Sequence, residues 1–315
     1  MLGAALADPA TDLDARRARE LVAGTILERI GDTPLVRLGR LAAQLPGEVW
    51  AKVEGANPGG SVKDRAALWM VLAAELRGHL DGGRPVLEAT SGNMGIALAM
   101  VCAVRGHVAE LCMPGRVSLE RRRMAAAFGA RIVETDPLEG SDGALREARR
   151  RDAAAPGRYA YLDQYANLLN PHAHRCTTGP EIWAQTRGRV THLVAGIGTS
   201  GTLSGAGAFL REQGVRIVAV QPDDPLHGLE GLKHMASAIR PAIWDPSAAD
   251  RHATISTEEA VASARRLARE EGLFCGPSSG AAVAVALGIA RAEASVVVAV
   301  LPDGGERYLS TALWE

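Results

Sequence analysis

The sequence has few aromatic residues and almost no net charge, and these shortages limit what the protein can be. Phe, Trp and Tyr make up 4% of the 315 residues, so a core must be built largely from Ala, Val, Leu and Ile. The formal net charge is -1 at pH 7, and no block rich in lysine and arginine is present. Because nucleic-acid-binding proteins carry such a basic patch, we expect no nucleic-acid partner.

Cysteine is also scarce. The four cysteines show neither a CxxC spacing nor a paired pattern; they are Cys102, Cys112, Cys176 and Cys275. In a chain of this length they are typical of reduced thiols in a cytosolic protein. The eight histidines form no HExxH motif and no Cys/His cluster with metal-binding spacing, so the sequence predicts no metal site.

Long apolar runs are missing as well. The runs at residues 281–290 and 296–301 are separated by Arg291 and Glu293. Neither approaches the roughly 20 apolar residues that a membrane-spanning helix needs. The first 24 residues carry Asp8, Asp12, Asp14 and Glu20 and lack the apolar core of a signal peptide. We therefore expect a cytoplasmic protein with no membrane association.

What the sequence does contain is an alternation of short strands and helices. This alternation predicts α/β architecture with largely parallel sheets. The pattern is interrupted at residues 164–170, where we expect a junction between about two domains. Residues 223–250 are irregular, and a segment of that length is more often functional than accidental.

Residues 57–65, Asn-Pro-Gly-Gly-Ser-Val-Lys-Asp-Arg, join a strand to an apolar helical run. Ser61 is predicted to cap that helix, which places Lys63 in its first turn. A cation there opposes the helix dipole, and this field together with partial burial would lower the pKa of the amine. A neutral amine suits Schiff-base chemistry with an aldehyde cofactor. The alternative is a solvated lysine beside Asp64 and Arg65.

Thr90, Ser91, Gly92 and Asn93 form a second motif, between a strand and a helix. Successive backbone N–H groups, two hydroxyls and an amide at such a turn make an anion pocket. A carboxylate or a phosphate would fit it equally well. The alternative is an ordinary helix cap.

Residues 198–202, Gly-Thr-Ser-Gly-Thr, open a further helix, and backbone donors at a helix N-terminus favour phosphate. Residues 196–201 also read GxGxxG. The following strand, however, ends at Gln221 rather than at an acidic residue, so a phosphomonoester fits better than a dinucleotide. Residues 276–280, Gly-Pro-Ser-Ser-Gly, precede an apolar helix. A serine hydroxyl there could bond a ring nitrogen or simply cap the helix.

In their order along the chain, these four motifs resemble the cysteine synthase (O-acetylserine sulfhydrylase) group of fold-type II pyridoxal-phosphate enzymes. The resemblance runs from about Gly24 to Thr311. The stretches at residues 52–55, 178–183 and 307–311 are more similar to the B type than to the A type.

The resemblance implies two α/β domains, each with a largely parallel twisted sheet flanked by helices, as in the tryptophan synthase β-like fold. A smaller mobile domain over residues 49–166 would carry the carboxylate loop. A larger domain over residues 1–48 and 167–315 would carry the phosphate loop. The cofactor would lie in the cleft between them.

The resemblance also assigns the cofactor, pyridoxal 5′-phosphate, and the residues that would hold it. Lys63 would form the internal aldimine, Asn93 would bond the 3′ oxygen, and Ser278 would meet the pyridine nitrogen. The phosphate would be held by Gly198, Thr199, Ser200, Gly201 and Thr202, and the substrate carboxylate by Thr90, Ser91, Gly92, Asn93 and Gln164. Ser200 departs from the usual pattern, which has glycine or threonine at that position.

By the same resemblance, the substrates are small molecules and the enzyme is a homodimer. O-acetyl-L-serine would lose acetate through an α-aminoacrylate intermediate, and sulfide or thiosulfate would add to give L-cysteine. Lys63 would remove the Cα proton as general base. Alternatives on the same scaffold are an O-phosphoserine sulfhydrylase and a cystathionine β-synthase. From another class, the alternative is a non-catalytic regulatory binding protein, against which the intact Lys63 argues.

Overall fold

The strands of the computed structural model, which describes residues 13–315, form two separate sheets. In chain order they are β1 Leu35–Arg37, β2 Glu48–Val53, β3 Val86–Ala89, β4 Ala109–Pro114, β5 Arg131–Thr135, β6 Ala160–Tyr161, β7 His192–Gly196, β8 Arg216–Pro222, β9 Arg251–Ile255 and β10 Val296–Leu301. One sheet has six strands in the order β1-β2-β10-β7-β8-β9, and the other has four in the order β5-β4-β3-β6.

Ten α-helices accompany these strands within the described residues. They are α1 Ala15–Val22, α2 Lys63–Leu76, α3 Asn93–Arg105, α4 Leu119–Ala127, α5 Gly140–Ala154, α6 Leu169–Cys176, α7 Thr178–Gln185, α8 Gly201–Arg211, α9 Thr257–Glu271 and α10 Pro277–Ala292. None of these helices is long and apolar enough to cross a membrane. Over the same residues, no group of three or more His, Cys, Asp or Glu side chains is placed to hold a metal ion.

β10 is a central strand of the six-stranded sheet, where it pairs in parallel with β2 on one side and β7 on the other. Its sequence, Val-Val-Val-Ala-Val-Leu, is apolar throughout because both faces of the sheet are covered. Val297 and Ala299 pack with apolar residues of α9 and α10. Val298 and Val300 point the other way and pack with residues of α7 and α8. Within this sheet only β1, which pairs with β2, is antiparallel.

The four-stranded sheet is parallel throughout. Every residue of β3 and β4 is buried. α3 packs on one face of the sheet and against α2, and α5 packs on the other face. α2 and α3 are apolar on almost all sides because they lie inside the molecule. The predicted α/β class with parallel sheets flanked by helices is therefore confirmed.

The predicted division into two domains stays a prediction, but one of its boundaries needs correction. The division placed residues 49–53 in the smaller domain. In the structure β2 pairs with β10 over six residues, from Val296 opposite Glu48 to Leu301 opposite Val53, so this strand belongs to the larger sheet. Residues 1–12 of the predicted larger domain lie outside the described residues.

Two elements were absent from the sequence-based prediction, helix α6 and strand β9. α6 contains Pro171 in its first turn, where the missing N–H costs nothing, but the Asn-Pro pair suggested an interruption. β9 is an edge strand with three exposed residues, and its sequence, Arg-His-Ala-Thr-Ile, lacks a buried apolar run.

Candidate active site

A cavity of about 390 Å³ lies where the carboxyl ends of strands from both sheets meet. In open α/β sheets this edge is where ligands bind, because the loops and helix N-termini converge there. The sequence-predicted residues that line the cavity are Lys63, Thr90, Ser91, Asn93, Gln164, Gly198, Thr199, Thr202 and Ser278. Gly92, Ser200 and Gly201 belong to the same loops but do not line it.

Lys63 is the first residue of α2, as the sequence predicted, although the cap differs from the prediction. Val62 occupies the cap position, and Ser61 Oγ accepts a hydrogen bond from the Lys63 amide at 3.3 Å. Burial lowers the pKa of the Lys63 amine, and the charge of Asp303 opposes this shift. A lowered pKa increases the neutral, nucleophilic fraction of the amine.

The chain has three lysines, and Lys63 differs from the other two. Lys52 Nζ is 2.7 Å from Glu181, and Lys233 Nζ is 2.6 Å from Asp142. Lys63 has no carboxylate within ion-pair distance among the described residues, and its side chain faces the cavity. It is therefore the lysine that is free to react with a ligand.

Asp64 and Arg65, next to Lys63, are fully buried rather than solvated. Arg65 Nε donates to Glu54 at 2.7 Å and its Nη1 donates to Glu181 at 2.6 Å. Although burial would raise the pKa of Glu54, the charge and hydrogen bonds of Arg65 hold it at about 2. This buried ionic cluster fixes the start of α2 and hence the Lys63 backbone.

The turn that contains Thr90 opens α3. Thr90 Oγ1 accepts hydrogen bonds from the amides of Gly92 and Gly95, both at 3.0 Å, so its hydroxyl also caps the helix as the alternative proposed. Gly92 has φ +143°, and a Cβ there would lie 2.3 Å from Cδ of Arg121. Only glycine fits this position, and it lets the backbone of the turn pass close to the Arg121 stem.

Gln164 follows β6 and reaches the same turn from the side. Its side-chain Nε2 donates to the carbonyl of Ala89 at 2.7 Å, and its backbone N–H donates to Glu88 Oε2 at 3.2 Å. Burial raises the pKa of Glu88 to about 8, with a contribution from the charge of Asp163. Gln164 is therefore fixed to the end of β3, beside the anion pocket of the turn.

The loop before α8 has the shape of a phosphate site. α8 begins at Gly201, so the first N–H groups of the helix have no intrahelical partner. Ser200 adopts φ +74°, and a Cβ at Gly198 would lie 2.3 Å from the carbonyl oxygen of Gly231. Only glycine fits at position 198, because the backbone of this loop passes close to the backbone of Gly231.

Two residues of α6 support this loop, and the sequence-based prediction missed both. Asn170 Nδ2 donates to Thr199 Oγ1 at 3.1 Å, and His174 Nε2 is 3.3 Å from Thr202 Oγ1. Burial lowers the pKa of His174 to about 3, so the imidazole stays neutral. The available signal was their spacing of four residues, which puts both on one face of a helix.

Ser278 is the second residue of α10, and the cap of this helix is Gly276, so Ser278 does not cap it. Its side chain is buried and lines the cavity. A neutral hydroxyl at this point can bond a heteroatom of a ligand without adding charge.

The irregular segment after β8 forms part of the cavity wall. His227, Glu230 and Lys233 line the cavity from this segment. Glu230 pairs with Arg121 of α4, and Lys233 pairs with Asp142 of α5. The segment therefore joins the six-stranded sheet, from which it extends, to helices of the four-stranded sheet.

The residues present fit pyridoxal phosphate. The α8 N-terminus can take the phosphate, Lys63 can react with the aldehyde, and Ser278 offers a hydroxyl for the ring nitrogen. Asn93 Oδ1 is buried and has no hydrogen-bond partner within the described residues, so a polar atom next to the cavity still lacks its partner. Such a set of groups at the carboxyl edge of parallel strands defines a pyridoxal-phosphate enzyme of fold type II.

Comparison with known proteins agrees with this class. The profile of the family described as "Pyridoxal-phosphate dependent enzyme" matches residues 26–303, and the chain belongs to this family. Its members depend on pyridoxal phosphate, which confirms the predicted cofactor.

Individual relatives point to a narrower group. The chain is 50% identical to the cysteine synthase of Aquifex aeolicus over 309 residues, covering 95% of this chain and 93% of that protein. It is 46% identical to cysteine synthase B of Salmonella typhimurium, covering 92% of this chain and 96% of that protein. The crystal structure of an O-ureido-L-serine synthase superposes with a TM-score of 0.86 at 43% identity, covering 92% of this chain and 95% of that one. The predicted resemblance to cysteine synthases, including the B type, is confirmed.

Proposed function

We propose that this chain is a cysteine synthase that forms L-cysteine from O-acetyl-L-serine and sulfide. One observation carries the proposal: Lys63, the turn at Thr90 and the loop before α8 line a single cavity. The reaction needs an amine, a carboxylate site and a phosphate site within the length of one substrate. The relatives named cysteine synthase, up to 50% identical over 95% of the chain, support this choice of product.

Each group would have one role. Gly198, Thr199 and Thr202, with the backbone of Ser200 and Gly201, would hold the cofactor phosphate at the α8 N-terminus. Thr90, Ser91 and Gln164 would bind the substrate carboxylate, together with Gly92 and Asn93, and Asn93 and Ser278 would contact the cofactor ring. When bound, pyridoxal phosphate supplies the electron sink that makes the Cα proton of the substrate acidic.

Lys63 would move the proton. Its amine, whose pKa burial lowers, takes the Cα proton of the bound amino acid and becomes an ammonium group. Loss of that proton allows the acetate to leave from Cβ. Sulfide then adds at the same carbon, and the Lys63 ammonium group returns the proton to Cα. The cavity wall formed by residues 227–233 would keep water away from the reacting carbon.

A second candidate is formation of O-ureido-L-serine on the same scaffold. The 43% identity and TM-score of 0.86 with an O-ureido-L-serine synthase favour it as an alternative. Its product has an oxygen-linked ureido group at Cβ, so the nucleophile would be hydroxyurea instead of sulfide. Loss of acetate from O-acetyl-L-serine would be the same in both reactions. The two functions differ only in the nucleophile that then adds at Cβ.

The test is a visible absorption spectrum of the purified protein, recorded before and after O-acetyl-L-serine and again after sulfide, with the product identified by mass. We expect a cofactor band that O-acetyl-L-serine changes and sulfide restores, with L-cysteine formed. Restoration by hydroxyurea but not by sulfide would select the second candidate. A cofactor band that ignores O-acetyl-L-serine would exclude this donor and direct the search to O-phospho-L-serine.

Variants of Lys63 make the test specific. Lys63→Arg keeps the positive charge but removes the nucleophilic amine, and Lys63→Ala removes both. We expect both variants to lose turnover by about 10²- to 10⁴-fold, since each lacks the base for the Cα proton. Turnover that survives either substitution would contradict the assigned role.

The substrates are small molecules. We also propose that the enzyme acts as a homodimer and that it lies in the cytoplasm. Light scattering of the purified protein measures the oligomeric state, and cell fractionation measures the location. A monomer with full activity would contradict the proposed assembly.

A further inference from the structure

Asp303 is a buried carboxyl group beside the cavity that has no role in the proposed reaction so far. It follows β10, and its side chain is 2% exposed. Its backbone pairs with Ser61 and accepts a hydrogen bond from the Gly276 amide at 3.3 Å. A Cβ at Gly276 would lie 2.3 Å from Asp303 Oδ1, so the glycine leaves the space that the carboxylate fills.

One oxygen of this carboxylate receives two hydrogen bonds. Asn93 Nδ2 donates to Asp303 Oδ2 at 2.6 Å, and the Tyr308 hydroxyl donates to the same oxygen at 2.7 Å. An amide N–H donates and the Asp303 oxygen accepts, so the amide nitrogen of Asn93 faces Asp303. The pairing therefore fixes the orientation of an amide that could otherwise turn over.

This orientation matters because Asn93 lines the cavity and Asp303 does not. With one Nδ2 hydrogen given to Asp303, Asn93 still has its second Nδ2 hydrogen and Oδ1. Oδ1 is buried and without a partner among the described residues. Asp303 thus contacts Asn93 directly, across 210 residues of sequence, and in addition its charge acts on the Lys63 amine.

We propose that Asp303 is a positioning residue of this active site, which holds the Asn93 amide so that its second N–H group and its oxygen are directed at the bound ligand. The inference rests on the proposed function only for the identity of the substrate. The contact between Asn93 and Asp303 acts on the bound cofactor and is present before any substrate binds.

The experiment compares four holoenzymes: the wild type, D303N, N93A and the double variant D303N/N93A. In D303N the new amide can both donate and accept, so Asn93 is no longer held in one orientation. We expect the cofactor absorption band of D303N to shift towards that of N93A in the absence of substrate. We also expect kcat/KM of D303N to fall by about tenfold to a hundredfold, mostly in kcat, since Thr90, Ser91 and Gln164 of the carboxylate site are untouched. The double variant should be no slower than N93A within about twofold, because residues acting through one contact are not additive.

Two results would overturn the inference: a D303N cofactor spectrum identical to the wild type, or losses in D303N and N93A that multiply in the double variant. Asp81→Asn, at an exposed site, is the matched control and should leave spectrum and rate unchanged. If D303N does not fold, the exchanged pair N93D/D303N restores one donor and one acceptor and should yield folded protein. Failure of that pair to fold would also contradict the proposed contact.

The spectrum separates this inference from the proposed function. If the D303N spectrum is shifted but O-acetyl-L-serine does not change the cofactor spectrum of the wild type, the contact between Asn93 and Asp303 is supported and O-acetyl-L-serine is excluded as the donor. An unchanged D303N spectrum in a protein that makes L-cysteine would support the function and exclude the pairing.

Discussion

Glu88 lies at the end of β3, where its carboxyl group is shielded from water and bonded to the amides of Ala89 and Gln164. Burial raises its pKa to about 8, whereas a glutamate in an unfolded chain titrates near pH 4.3. Between these two values the folded state binds the proton and the unfolded state does not. The free energy of unfolding must therefore fall as the pH rises through this range.

Glu88→Gln removes the titrating group and should flatten this dependence. We expect the wild-type free energy of unfolding to fall between pH 5 and pH 8. In the variant this decrease should be smaller, by an amount on the order of 3 kcal/mol. Urea unfolding at each pH measures the difference. Exposed Glu258→Gln is the control and should follow the wild type. A Glu88→Gln curve parallel to the wild type would contradict the raised pKa.

The buried Arg65 side chain holds two carboxylates at the start of α2. It makes ion pairs with Glu54 and Glu181, and all three residues lie next to the start of α2. Its guanidinium group bonds both carboxylates at once, a geometry that lysine does not reproduce.

Arg65→Ala should destabilise the protein by about 3–5 kcal/mol, because it leaves the buried carboxylate of Glu54 without its ion-pair partner. The stability of Arg65→Lys should lie between that of Arg65→Ala and that of the wild type. Arg266→Ala removes the exposed pair with Glu270 and should cost less than about 1 kcal/mol. Urea unfolding of the three variants provides the comparison, and equal losses for Arg65→Ala and Arg266→Ala would refute the role of the buried cluster.

At the scale of an element, α10 combines a close contact and an open face. Gly280 lies against α9, where a Cβ would be 2.0 Å from the carbonyl oxygen of Ala260. Gly288 lies two turns further along the same helix, is exposed, and has nothing within 4 Å of the position of a Cβ. Packing thus requires glycine at one position and not at the other.

The two glycines form a matched pair for mutation. Gly280→Ala should destabilise the protein by about 1–3 kcal/mol, because α9 and α10 must move apart. Gly288→Ala should stabilise it by about 0.5–1 kcal/mol, since alanine favours a helix over glycine. Thermal unfolding of both variants tests the contrast. Equal effects of the same sign would show that helix propensity, rather than packing, decides at these positions.

On the scale of the whole molecule, the segment after β8 joins the two sheets. Asp142 of α5 accepts from Lys233 Nζ at 2.6 Å and from the Ile239 amide at 2.8 Å. Arg121 of α4 pairs with Glu230 of the same segment. These contacts close the cavity wall, so loosening them should open the site without affecting either core.

Asp142→Asn keeps the hydrogen bond to the Ile239 amide and loses the charge opposite Lys233. We expect amide exchange in residues 227–243 to become about tenfold faster, which corresponds to about 1.4 kcal/mol of local stability. Mass-spectrometric hydrogen exchange measures this change. Asp152→Asn, near the other end of α5, is the control. Unchanged exchange in Asp142→Asn would mean that the ion pair does not hold the segment.

The sequence by itself determined the local features of the site. Helix starts at Lys63, Asn93 and Gly201, each after a glycine-containing turn, depend on neighbouring residues, and their order along the chain is typical of one family. The buried strand at residues 296–301 was equally predictable, because a fully covered parallel strand must be apolar on both faces.

The tertiary structure decided the contacts between distant residues. Pairing with β10 places β2 in the larger sheet, and α6 brings Asn170 and His174 to the phosphate loop. The bond between Asn93 and Asp303 joins residues 210 positions apart. Such pairs leave no periodicity in the sequence, because they form only when packing excludes water and each buried polar group must find a partner in space.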